Sequence, residues 1–100
     1  MEKNQTAGKP KARIRVEWPR SFRVVFYNDD FTTMDFVVMV LRVVFFKKEA
    51  EAQRLMMAVH KQGKATVGVY PRDIAMSKTD KATKMAKDAG YPLRITCEEE

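Results

Sequence analysis

Apolar and polar positions change rhythm along the chain, and each change marks an element. Ser21–Tyr27 alternates loosely and is rich in β-branched and aromatic side chains (Phe22, Val24, Val25, Phe26, Tyr27), which predicts a strand. Asn28-Asp29-Asp30 ends it, because short polar side chains bond their own backbone and favour turns. Propensity pulls the next segment toward strand, since five valines lie between Val37 and Val44. Spacing pulls the other way. Phe36, Val37, Val40, Leu41, Val44 and Phe45 recur on one helical face, whereas a strand would place Arg42 beside Val38, Val40 and Val44. A helix is therefore expected, with Thr32 as N-cap and Asp35 completing a weakened capping box. A second helix follows over residues 48–62, burying Ala52, Leu55, Met56 and Val59 and stopped by Gly63. Residues 64–70 read as a strand with Ala65, Val67 and Val69 on one side, closed by Pro71. A third helix is expected over residues 72–89, with Ile74, Ala75, Ala82, Met85 and Ala86 buried and Gly90 as its terminator. Leu93, Ile95 and Cys97 alternate with polar residues in a last strand.

The order β-α-α-β-α-β contains no repeat and predicts an α+β fold. Its expected form is a small two-layer domain whose three-stranded antiparallel sheet is covered on one face by three helices. One hundred residues with 45% hydrophobic content support a single modest core. Residues 1–20, with Gly8, two prolines and few apolar side chains, read as a flexible N-terminal arm, leaving residues 21–100 as the folded domain.

Charge changes this picture little. The formal net charge is +6, but residues 1–20 carry six basic and two acidic side chains, so the folded part is nearly balanced. A small basic nucleic-acid-binding domain is the competing reading, and it would depend on the arm. One Cys and one His exclude an intrachain disulfide and a Cys/His zinc cage, so neither metal nor cofactor is expected. The longest apolar stretch, residues 36–46, is interrupted by Arg42 and too short to span a bilayer; a soluble, cytoplasmic monomer is expected.

Two remote segments hold unusual polar residues at the edges of apolar elements: residues 28–34 and residues 56–60. A free α-ammonium has three donors and a positive charge, so its site needs about three acceptors with at least one anion. Asn28 offers an amide oxygen, Asp29 or Asp30 a carboxylate, and neutral His60 a ring nitrogen. Met56, Val59 and His60 share a helix face, which would set an apolar wall beside an acceptor. Each feature also has a plainer reading: a turn for Asn-Asp-Asp, a dipole-stabilising residue for His60, core filler for the methionines. Small-hydrolase chemistry through Asp30 and His60 is a third possibility. A Cys97 nucleophile with His60 as base lacks any legible oxyanion device.

Residues 24–37 (VVFYNDDFTTMDFV) and 55–65 (LMMAVHKQGKA), followed in order by Gly68-Val69-Tyr70, Asp73-Ile74-Ala75, Lys78 and Gly90-Tyr91-Pro92-Leu93, resemble the ClpS family of Clp-protease adaptors. The resemblance covers residues 22–98. It implies a non-enzymatic adaptor that binds N-degrons beginning with Phe, Leu, Trp or Tyr and delivers them to an Hsp100 unfoldase, ClpA or ClpC, for degradation by ClpP. By motif position it implies Asn28, Asp30 and His60 at the α-amino group, with Asp29 nearby. Tyr27, Thr32, Met34, Val37, Met56, Val59 and Leu93 would line the side-chain pocket, Met34 gating it against β-branched first residues. Asp73 and Lys78 match the surface turned toward the unfoldase. Two positions depart from the family pattern: Met76 stands where an acidic residue is usual, and Thr33 where Pro is frequent.

Overall fold

The computed structural model describes residues 20–100, so the expected arm lies outside the described residues except for Arg20. Six elements follow in the expected order: β1 (Ser21–Tyr27), α1 (Met34–Val43), α2 (Glu49–Gln62), β2 (Lys64–Pro71), α3 (Arg72–Ala89) and β3 (Arg94–Glu99). The strands form one antiparallel sheet with β1 in the centre, flanked by β2 and β3. Period-two alternation then sorts β1. Val24 and Phe26 are fully buried in the core cluster beneath the helices with Phe22 packed against it, while Arg23, Val25 and Tyr27 take the other face. Val25 is buried there too, yet stands outside that cluster.

The helical reading of the valine-rich segment holds. Val37, Val38, Val40 and Leu41 of α1 are buried against Ala52, Leu55, Met56 and Val59 of α2 and against the sheet, a burial gain that overrides the β-propensity of valine. Its N-cap is Thr33, not Thr32: the Thr33 hydroxyl accepts from the Phe36 N–H at 3.1 Å, and no Asp35 capping box forms. Thr32 is drawn one step back because its own hydroxyl donates to Asp29. The α2 and α3 helices end as expected on left-handed Gly63 (φ 88°) and Gly90 (φ 80°), a conformation that glycine adopts without Cβ strain.

Two expectations are corrected, that Val69 shares a side with Ala65 and Val67 and that Ile74 is buried. Val69 is exposed because β2 carries a β-bulge: Val24 pairs with Gly68 and Val25 with Thr66, leaving Val67 as the extra residue. One extra residue shifts the phase of everything beyond it, so Gly68 and Tyr70 face the core side and Val69 faces out opposite Arg23. Ile74, in the first turn of α3, is also exposed; Ala75, Ala82 and Ala86 form the buried stripe, with Met85 packed at its edge. Small residues on that stripe let α3 lie close to the sheet.

Candidate functional site

The β1–β2 register decides where the site forms. Tyr27 pairs with Lys64, and the next residue, Asn28, donates its N–H to the Gly63 carbonyl at 2.8 Å. The end of β1 is thereby fastened to the turn that closes α2, one helical turn from Val59 and His60. The chain then loops through Asp29-Asp30-Phe31-Thr32 and enters α1 at Met34, whose next turn carries Val37. Between these segments lies a hollow of about 260 Å³ lined by Asn28, Asp29, Asp30, Thr32, Met34, Val37, Met56, Val59 and His60.

The lining is divided in character. Val37, Met56 and Val59 are buried and make an apolar floor; Met34, 42% exposed, stands at the rim. Asn28, Asp30 and His60 are exposed, and no hydrogen bond or ion pair among the described residues engages the Asn28 amide, the Asp30 carboxylate or the His60 ring. Asp29 differs. Its Oδ1 accepts from the N–H groups of Phe31 at 2.8 Å and Thr32 at 2.7 Å, and its Oδ2 accepts from the Thr32 hydroxyl at 2.8 Å. Partial desolvation pushes the Asp29 carboxyl upward, but the Thr32 and Phe31 hydrogen bonds outweigh it and hold the group below the ordinary aspartate value.

Two residues expected in the pocket lie elsewhere. Tyr27 is on the outer face of the sheet, as the inward Phe26 requires; its hydroxyl donates to Glu98 Oε2 at 3.1 Å and the Arg94 guanidinium lies 4.3 Å from its ring centroid. Leu93 is buried in the core cluster just before β3 and does not line the hollow. Asp73 is exposed in the first turn of α3. Lys78 is half-buried: it donates to the Val44 carbonyl at 2.8 Å, and its ammonium lies 4.5 Å from the Phe46 centroid and 5.3 Å from that of Tyr70. Burial, then Lys81 and Lys47, lower its pKa.

A larger, more open depression of about 610 Å³ runs beside the end of α1 and the start of α2, past Met39, Val43 and exposed Phe46. Nothing in the sequence pattern pointed to it. Its Arg42 and Glu49 pair with each other at 2.9 Å, and it shares no residue with the hollow. Polar groups that have no partner among the described residues converge on the smaller cavity, which makes that one the candidate site. Among the described residues no group of three or more His, Cys, Asp and Glu side chains is placed to hold a metal, and no helix is long and apolar enough to cross a membrane.

A sheet covered by helices thus holds an apolar hollow ringed with polar side chains from two chain segments, the form that small-ligand sites usually take. The model of the family described as ATP-dependent Clp protease adaptor protein ClpS matches residues 17–96. The ClpS adapter of Wolinella succinogenes is 46% identical over 89 residues, covering 89% of this chain and 87% of that one. The ClpS 2 adapter of Rhizobium meliloti is 42% identical over 100 residues, covering 100% and 99%. Among solved structures, Agrobacterium tumefaciens ClpS2 bound to L-phenylalaninamide superposes with a TM-score of 0.80 at 43% identity, covering 83% of this chain and 100% of that one. The chain belongs to the ClpS family of Clp protease adaptors.

Proposed function

We propose that this adaptor binds the amino-terminal residue of a polypeptide, with the side chain in the hollow and the α-ammonium at its rim, and hands the polypeptide to a ClpA- or ClpC-type unfoldase in the cytoplasm for degradation by ClpP. The observation that carries the reading is the convergence of Asn28, Asp30 and His60, without partners among the described residues, on a cavity floored by Val37, Met56 and Val59. The related ClpS2 was solved with L-phenylalaninamide, which combines an α-amino group with a benzyl side chain. Burying a Phe or Leu side chain contributes about 1.5–3 kcal/mol, and each hydrogen bond to a charged group about 1.5–3 kcal/mol more.

Phe, Leu, Trp and Tyr are the first residues whose bulk suits this hollow, and Met34 at its mouth is the gate. Asp73, with exposed Ile74 and Met76 beside it on α3, belongs to the face offered to the unfoldase, while Lys78 orders that face by clamping Phe46 and Tyr70. The adaptor works as a monomer and catalyses nothing itself.

Titrating a fluorescent Phe-initiated peptide against its N-acetylated form tests the reading by anisotropy. Acetylation removes the charge and two donors, so the acceptors lose their partners while the carbonyl and methyl crowd the rim; binding should fall at least about tenfold. Equal affinity for the two peptides would remove the ammonium site. Nucleic-acid binding with a steep salt dependence, and no response to the first residue, would favour the basic-arm alternative.

A further inference from the structure

Two adjacent carboxylates line the rim, and the structure gives them different work. We infer that Asp29 is a positioning residue of the amino-terminus site: it holds the 28–34 loop in its binding shape, while Asp30 supplies the negative charge that meets the ammonium. The inference rests on the binding reading above.

The geometry of the loop separates the two side chains. Asp29 already accepts three hydrogen bonds, from the N–H groups of Phe31 and Thr32 and from the Thr32 hydroxyl. A carboxylate has about four lone-pair sites, so little acceptor capacity is left for an incoming cation. Asp30 is exposed, and no described residue donates to its carboxylate or pairs with it. The Asp29 bonds are charge-assisted and short, the kind that fix a turn most firmly. They pull Thr32 inward and leave Thr33 to cap α1, so the shape set by Asp29 passes directly into the first turn of the helix, where Met34 stands over the hollow and Val37 forms its floor. Losing those bonds would loosen the rim acceptors and the gate together. The depressed pKa of Asp29 agrees with this internal role, since its partners stabilise the anion without any ligand.

The test compares wild type with Asp29→Ala, Asp29→Asn and Asp30→Asn, using free and N-acetylated Phe-initiated peptides and amide hydrogen exchange of the unliganded proteins. Asparagine keeps an oxygen that can accept from the Phe31 and Thr32 N–H groups, but it has no charge. Asp29→Ala should lose about tenfold or more in affinity for the free-amine peptide, with faster exchange at Phe31 and Thr32 and unchanged exchange in β1. Asp29→Asn should return to within about threefold of wild type, whereas Asp30→Asn should lose about tenfold with Phe31 and Thr32 exchange unaltered.

The inference is overturned if Asp29→Asn binds as weakly as Asp29→Ala while retaining wild-type exchange at Phe31 and Thr32, because charge and not loop shape would then be what matters. Wild-type affinity in Asp29→Ala overturns it as well. Should Asp29→Ala fail to fold, Asp29→Asn decides: a loss of about tenfold with wild-type exchange at Phe31 and Thr32 rejects the inference, and the same loss with faster exchange there supports it. Failure of the underlying reading has a separate signature: wild type itself would not distinguish the free from the acetylated peptide, whatever the exchange data show, and the positioning role would fall with it.

Discussion

Met34 is the first residue of α1 and keeps 42% of its surface exposed although it lines an apolar hollow. A flexible thioether at the rim can close over a straight or γ-branched side chain, while a β-branched one would press its extra methyl against the gate. Met34→Ala is therefore expected to admit Val- and Ile-initiated peptides, narrowing their disadvantage against Phe to about tenfold or less in competition anisotropy. Unchanged ranking would assign selectivity to the buried floor. At this scale the residue types were legible in the sequence, and the fold brings Asn28, Asp30 and His60 to one hollow. Sequence reading failed where only direction matters: Tyr27 has a suitable ring, but strand alternation turns it to the outer face, and Leu93 is apolar but points into the core. The division of labour between Asp29 and Asp30 was equally hidden, because neighbouring identical side chains differ only in what donates to them.

The elements were legible where a period persists over several turns. Helix α1 was recoverable despite its valines because its apolar stripe is helical, and α2 because charge and apolar faces separate cleanly. Strand β2 was only half legible, since a bulge is invisible to an alternation count and flips Val69 outward. Beyond the bulge, Tyr70 folds back so closely over Gly68 that a Cβ at position 68 would run into its ring. That ring belongs to the group that receives Lys78, together with Phe45 and Phe46. Gly68→Ala should accordingly displace Tyr70 and destabilise the fold by about 1–3 kcal/mol in urea denaturation, with peptide affinity retained because the hollow lies elsewhere. Wild-type stability would mean that the ring finds another seat at no cost.

Across the whole molecule, the sheet holds the two halves of the site together and is itself laced on its outer face. Glu98 on β3 accepts from Thr96 and from Tyr27 on β1, and lies 3.5 Å from Arg23. The Thr96 and Tyr27 hydrogen bonds, with Arg23 behind them, lower the Glu98 pKa despite some desolvation, as the loop bonds lower that of Asp29. For both groups the folded value lies below the unfolded one, so the unfolded chain binds more protons at acid pH and stability falls as pH falls. The contribution is complete above the unfolded values, near about 4, and disappears as pH drops through the folded ones. Melting temperature should therefore decline between about pH 5 and pH 2.5, and less steeply in Asp29→Asn, where one of the two groups no longer titrates. Parallel profiles for the two proteins would show that the Asp29 hydrogen bonds do not differ between folded and unfolded chains.

Sequence by itself determined the order of elements, the covered face of the sheet and which polar residues stand out in residues 28–34 and 56–60, because periodicity and side-chain chemistry are local properties. Only the tertiary structure decided that residues 28–34 and 56–60 share one cavity, that Tyr27 and Leu93 are excluded from it, and that Asp29 is spent within its own loop. Those outcomes follow from the pairing of Tyr27 with Lys64 and the Asn28 bond to Gly63, contacts between distant residues whose register is fixed by the burial of Val24 and Phe26.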